Sequence, residues 1–178
     1  SANYTVADLI GSFIETVVVT MTPNTAQGYR YSLAAAERGV GATPLVDLRA
    51  AHVEAWLQAE ARRGRSRATV TRYRVNLAKV LRWAQRRDLV ARNAADLAEM
   101  PPTPPPKQGR ALSAVELAAL LREAEGTRLA AVWWVMAGLG LRPGEALGLS
   151  WADIDLEAAV VHIRQARKVR AGRAELGD

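Results

Sequence analysis

The sequence predicts a mainly α-helical chain in two domains: an all-helical domain over residues 1–100, a proline-rich linker over 101–110, and a second domain over 111–178 of helices followed by a small antiparallel sheet. Three observations carry this expectation. Ahead of the linker, apolar residues recur at helical spacing in four successive stretches. The run Pro101-Pro102-Thr103-Pro104-Pro105-Pro106 can neither continue a helix nor join a central strand, because proline lacks the amide hydrogen and fixes φ. Beyond it, helical patterns give way to β-branched residues, which favour strands.

In the first domain, residues 5–20 read as one apolar helix that includes Leu9, Ile10, Phe13 and Ile14. The second begins at Thr22-Pro23, a capping residue followed by proline at the first helical position, and runs to about Arg38 before Gly39 and Gly41. A third covers Arg49 to Arg63, with Val53, Trp56 and Leu57 inward and Gly64 as its stop. Ser66 caps a fourth, from Arg67 to about Arg87. The second domain opens on Ser113-Ala-Val-Glu116, a capping box, with a helix to Ala124. Another helix spans Arg128 to Ala137 and is ended by Gly138 and Gly140; Trp133 and Trp134 are assigned to core. A short helix restarts at Pro143, residues 159–164 read as a strand, and Gly172 as a hairpin tip.

No apolar run reaches the roughly 20 residues that span a bilayer, and no secretory signal opens the chain, so a cytoplasmic setting without membrane contact is expected. Absence of cysteine excludes disulfides, thiolate zinc sites and a cysteine nucleophile. Ser1 in place of an initiator methionine points to chosen or processed ends, with chain missing on either side. The net charge of +6 is unevenly spread: residues 1–110 hold 16 Lys and Arg against 9 Asp and Glu, while residues 111–178 hold 8 against 9. Residues 62–92 contain eleven cations and one acid, Asp88, which makes this segment the electrostatic centre.

Projected at 100° per residue, the fourth helix gathers Val70, Tyr73, Leu77, Val80, Leu81 and Ala84 on one side and Arg72, Lys79, Arg82 and Arg86 almost opposite. Two readings are open, a solvated basic face and a nucleic-acid face. Arg62, Arg63, Arg65, Arg67 and Arg74 crowd the helix start with almost no interleaved Glu, whereas a solvated face normally mixes signs; this favours nucleic acid.

The segment Gly138-Leu-Gly-Leu-Arg-Pro-Gly-Glu-Ala-Leu-Gly-Leu-Ser-Trp-Ala-Asp-Ile-Asp155 closely resembles the first catalytic-arginine motif of the tyrosine recombinase (phage integrase) family. Upstream, Thr22-Pro-Asn-Thr25 with Tyr29 and Leu33, and Ser66-Arg-Ala-Thr69 through Trp83 to Asn93, resemble helices of that family's core-binding domain more loosely. One departure is that Asn93 is followed by Ala94 where the family usually has proline, which leaves that turn undetermined.

The resemblance implies a SAM-like helical core-binding domain and a truncated α+β catalytic domain that together close on a duplex as a C-shaped clamp. It implies site-specific recombination through a 3′-phosphotyrosine intermediate, with no metal or nucleotide cofactor. Arg142 would be the first catalytic arginine and Glu145 its supporting acid, against the plainer alternative of a pair that only caps a helix. A planar guanidinium can clamp two oxygens of a phosphodiester whose charge rises in the transition state. Lys168 lies in the region of the family's catalytic lysine, but Arg167, Arg170 and Arg173 surround it, and a phosphate contact or an exposed strand residue fits it better. Double-stranded DNA is the expected partner, met by Thr25, Tyr29, Arg30, Arg65 and Arg67, and along the fourth helix by Arg72, Arg74, Lys79, Arg82 and Arg86.

The four tyrosines, Tyr4, Tyr29, Tyr31 and Tyr73, all precede the linker, and His162 has no arginine three residues later, so neither the family's late nucleophile nor its His-x-x-Arg is found; His162 and His52 read as structural. The chain is therefore expected to bind DNA without cutting it, as a monomer, with the full-length protein tetrameric on DNA. The rival reading is a non-catalytic DNA-binding protein derived from an integrase; a basic domain docking an acidic protein would leave the arginine motif unexplained.

Overall fold

A computed structural model describes residues 4–102, 104, 109–170 and 173–177, with side chains described as far as Arg167. The chain divides into two compact units, Ser1–Gln108 and Gly109–Asp178.

In the first unit, helix α1 (Val6–Thr16) starts at Thr5, whose hydroxyl accepts from the Asp8 amide at 3.2 Å while the Asp8 carboxylate accepts from the Thr5 amide at 2.8 Å. The single helix expected over 5–20 is broken: a 3₁₀ turn follows over Val18–Thr20. Four successive β-branched residues, Val17 to Thr20, disfavour helix continuation, and the turn drops Val18 into the core. Helix α2 (Pro23–Val40) passes through Gly39, which was expected outside it. A Cβ at Gly39 would lie 2.1 Å from the Trp56 ring, so this glycine serves helix packing instead of helix termination. Helix α3 (Ala50–Arg62) gives way to Gly64 at φ +80°, and α4 (Arg67–Gln85) starts at Ser66, whose hydroxyl accepts from the Thr69 amide.

A short helix, α5 (Ala94–Leu97), follows at the turn left undetermined by Ala94. Buried Asn93 caps it by accepting from the amides of Ala95 and Asp96 at 3.1 and 3.3 Å, and donates to the Ala78 carbonyl of α4 at 2.9 Å. Side-chain capping thus replaces proline. The core lies among these helices: Val70, Tyr73, Leu77, Val80, Leu81 and Ala84 of α4 are at most 1% exposed and belong to one cluster with Leu9, Ile10, Leu33 and Leu57. Trp56 stacks on Tyr73 with centroids 6.0 Å apart, and Phe13 meets Trp83 edge to face at 5.8 Å.

In the second unit, α6 (Ala114–Ala124) opens on the reciprocal Ser113–Glu116 cap. Helix α7 (Ala130–Leu139) begins two residues later than expected and includes Gly138; Gly140, at φ +66°, ends it. Trp133 and Trp134, expected in the core, are 42% and 52% exposed. Adjacent helical residues point about 100° apart, and α7 is apolar on every side, so packing against its neighbours cannot cover both. Helix α8 (Pro143–Ala146) and a 3₁₀ turn (Trp151–Asp153) lead to β1 (Ile154–Asp155), β2 (Val160–Val161), β3 (Ala166–Arg170) and β4 (Arg173–Gly177).

Among the described residues the strands form two antiparallel pairs, with Ile154 opposite Val161 and Ala166 opposite Gly177. The strand expected over 159–164 is shorter because Ala159 turns at φ +54°; His162 adds one rung through its amide to the Asp153 carbonyl at 2.8 Å. Gly172, expected at the hairpin tip, lies outside the described residues. Backbone meets backbone where α8 and the turn after it cross the strand that follows: a Cβ on Gly144 would lie 2.9 Å from the Arg167 carbonyl oxygen, and one on Gly148 2.8 Å from that of Gln165. Among the described residues no helix is long and apolar enough to cross a membrane.

Candidate nucleic-acid interface

The first unit turns the apolar side of α4 into its core and leaves the opposite side outward, so Arg67, Arg72, Lys79, Arg82 and Arg86 are all exposed. These side chains are not equivalent. Arg67, Arg72 and Arg86 have no ion-pair partner among the described residues, whereas Lys79 Nζ donates to the Tyr29 hydroxyl at 2.8 Å. Tyr29 is half-buried and its ring lies 6.2 Å from Phe13, so this bond ties α2 to α4 beside the exposed Arg30. Thr25 is exposed in the first turn of α2; its hydroxyl accepts from that of Thr22 at 2.9 Å, so the Thr22 oxygen stands at the cap position without accepting an amide.

Two acids are embedded in this basic surface. Asp96 places both carboxylate oxygens on Nη2 of Arg82, at 3.1 and 3.0 Å, and one of them also accepts from Asn93 Nδ2 at 2.7 Å. Glu60, 3% exposed, accepts from Arg63 at 2.5 Å and lies 3.7 Å from Arg65 Nε. Sequence reasoning missed both: the Arg82–Asp96 approach is made only when α5 folds back on α4, whereas Glu60 and Arg63 are a local pair three residues apart. The Asn93-x-x-Asp96 spacing, an N-cap followed by an acid in the first turn, is the signal that could have found Asp96. Arg74 differs from its neighbours: it is half-buried and its Nη1 donates to the Ala98 carbonyl at 3.0 Å, which fastens the chain after α5. Arg87 lies over Trp83, its Cζ 4.1 Å from the ring centroid. Beside Arg65, the exposed Tyr31 hydroxyl is pulled below its ordinary pKa by the Tyr73 hydroxyl and then by Arg65, while burial pushes Tyr73 up.

In the second unit, Arg142 occupies the N-cap of α8 with its side chain 84% exposed. Glu145 closes back on it, one oxygen accepting from the Arg142 amide and the other from Nη1, both at 2.9 Å. An arginine side chain has no acceptor, so the cap is one-sided, and Glu145 both satisfies the helix start and fixes the guanidinium. These bonds, the amide's first, hold the Glu145 carboxyl below its usual range. The following Ser-Trp-Ala-Asp repeats the device: buried Asp153 accepts from the Ser150 hydroxyl and amide, which lower its pKa, and stands 3.7 Å from Arg164. Lys168 sits in β3 opposite Glu175. His52 is exposed and accepts from the Arg49 amide on Nδ1; His162 is exposed beside β2. Among the described residues no three of His, Cys, Asp and Glu come together as metal ligands.

Residues 10–95 match the family model of the phage integrase N-terminal SAM-like domain. An integrase of Streptomyces ambofaciens is 29% identical over 95% of this chain and 45% of its own length. The tyrosine recombinase XerC of Rhodospirillum centenum is 35% identical over 61% of this chain and 34% of its own. The chain thus spans less than half the length of these relatives. Among solved structures, the Tn1549 transposon integrase in complex with circular intermediate DNA superposes with a TM-score of 0.78 at 19% identity, over 98% of this chain and 59% of that one. A lambda integrase dimer bound to a core site gives 0.72 at 17% identity, over 97% and 48%. Helical first unit, arginine motif and these matches point the same way: residues 10–95 are similar to the phage integrase N-terminal SAM-like domain, and the chain as a whole is similar to integrases and tyrosine recombinases.

Proposed function

We propose that this chain is the duplex-gripping part of a tyrosine recombinase that integrates or exchanges DNA at specific sites in the cytoplasm. The observation that carries the proposal is the outward side of α4, where Arg67, Arg72 and Arg86 stand exposed and free of ion pairs among the described residues. Cations without internal partners are available to neutralise phosphates, and release of counterions makes such binding strong at low salt. Thr25, Tyr29, Arg30 and Arg65 extend the surface, Lys79 and Arg82 lie within it, and Arg74 acts by bracing the chain beneath it. The domain limits are 1–100, 101–110 and 111–178.

Arg142, held by Glu145, is proposed to clamp the scissile phosphate, with two fixed guanidinium donors meeting two non-bridging oxygens as charge develops on them. Lys168 is a candidate phosphate contact. Each tyrosine of the chain lies in the first unit, Tyr73 is only 1% exposed, and Tyr4 and Tyr29 have their hydroxyls bonded to Ser12 and Lys79. The chain is accordingly proposed to bind DNA without forming a covalent adduct and to be monomeric alone, while the longer recombinase assembles as a tetramer on DNA.

The test is incubation of the chain with a random-sequence duplex carrying a nick, at low and moderate ionic strength, followed by native and denaturing gels. A retarded complex that disappears on denaturation is the expected result. No complex at low salt would overturn the DNA-binding reading, and a band surviving denaturation would overturn the claim that the chain does not cleave.

A further inference from the structure

We infer that Asp96, braced by Asn93, is a positioning residue that fixes Arg82 to read the edge of one base pair, so that the pair sets sequence preference while its neighbours supply grip. The inference rests on the DNA-binding reading above.

The starting point is an electrostatic misfit. An acid on a surface meant for a polyanion repels it, so a carboxylate in the midst of α4's cations needs another reason to be there. Stability does not supply one. The two side chains are each about half exposed, 50% for Arg82 and 48% for Asp96, and ion pairs so open to water contribute little. Nor is the carboxylate needed to cap α5, since Asn93 alone accepts from the Ala95 and Asp96 amides and anchors the turn to the Ala78 carbonyl.

What the carboxylate does is immobilise a guanidinium. Both Asp96 oxygens sit on Nη2 of Arg82, and Asn93, only 6% exposed, holds one of those oxygens at 2.7 Å. Nε and Nη1 of Arg82 have no partner among the described residues and remain as donors on different edges of the guanidinium. Phosphate binding tolerates loose side chains, as Arg72 and Arg86 are here. Donation to a chosen acceptor of a base edge, such as guanine N7 or O6, requires a guanidinium fixed in direction. Arg82 is the member of the α4 quartet that the fold fixes through a carboxylate, which is how a reading residue would differ from a gripping one.

The test is selection from a pool of randomised duplexes by the chain, followed by sequencing, for the unaltered protein, Asp96→Asn, Arg82→Lys and Arg86→Ala, with thermal melting of each. Unaltered protein is expected to enrich a sequence with a preferred base pair at one position, by about tenfold or more over the alternatives. Asp96→Asn and Arg82→Lys should both lose preference at that same position. Asp96→Asn removes an acid, so its binding to random duplex should stay equal or tighten, the opposite of what damage to the fold would give. Arg86→Ala should weaken all sequences alike.

Retention of the full preference in Asp96→Asn, or proportional weakening on selected and random duplexes by both variants, would overturn the inference. So would binding by the unaltered protein without any enriched sequence, which leaves the DNA-binding reading intact. Failure of the unaltered protein to retain any duplex at low salt would remove that reading itself.

Discussion

The two units treat apolar side chains in opposite ways. In the first, Leu9, Leu33, Leu57, Leu77 and Leu81 are sealed from water, and aromatic rings close the gaps between helices. In the second, the buried apolar residues are Leu121, Ala124, Leu141 and Ala146, while Trp134, Trp151 and Leu156 are 52%, 83% and 80% exposed among the described residues. Each sealed leucine stabilises by about 1.5–3 kcal/mol, so the first unit rests on its core. The second rests more on caps and close backbone: Ser113 with Glu116, Arg142 with Glu145, Ser150 with Asp153, and two glycines against strand carbonyls. A unit with a sufficient core can leave one side densely cationic. The motif of the second unit is instead carried by local hydrogen bonds, which is why it can be recognised in eighteen consecutive residues.

The largest expected effect that would break this contrast is on core truncation. Leu77→Ala should destabilise by about 2–5 kcal/mol, read by denaturant unfolding, whereas Trp134→Ala should cost under about 1 kcal/mol. A larger effect from Trp134→Ala would mean that its ring is covered in solution. Next, Gly39→Ala should cost about 1–3 kcal/mol, because its Cβ would meet the Trp56 ring and α2 must move off α3; a neutral or stabilising result would show that the helices can separate freely.

A smaller effect is on pH. Glu116 is held down to about 2, foremost by the Arg110 guanidinium and then by the Ser113 amide, and Glu145 and Asp153 are also lowered. A depressed folded pKa contributes stability above the unfolded value, near 4.5, that is lost as pH falls towards the folded one. The melting temperature of the second unit should therefore drop between about pH 4.5 and about pH 2, and Glu116→Gln should drop less steeply there. An unchanged pH profile in Glu116→Gln would remove this cap from the account.

What was legible in the sequence was local. The two faces of α4, the Ser66 cap, the Ser113–Glu116 box and the spacing that brings Glu145 to Arg142 depend on residues within a few positions of one another. What was illegible depended on tertiary approach. Gly39 reads as a helix stop until Trp56 is seen where its Cβ would be. Arg74 reads as one more cation of the basic segment, yet it reaches Ala98, 24 residues on. Arg82 reads as free, yet Asp96 returns to it across the turn that Asn93 builds. Trp133 and Trp134 misled for the converse reason: hydrophobicity alone does not say that a helix has enough neighbours to bury it.

The most direct test of the central claim is the slope of log affinity against log salt for random duplex, compared between the unaltered chain, the quadruple variant Arg72→Ala, Lys79→Ala, Arg82→Ala, Arg86→Ala, and Arg142→Ala. Removing one cation that neutralises a phosphate should reduce the slope by about 0.9, so the quadruple variant should flatten it by up to about 3.6 and Arg142→Ala by at most about 1. An unchanged slope in the quadruple variant, or a greater flattening in Arg142→Ala, would contradict the assignment of grip to the first unit.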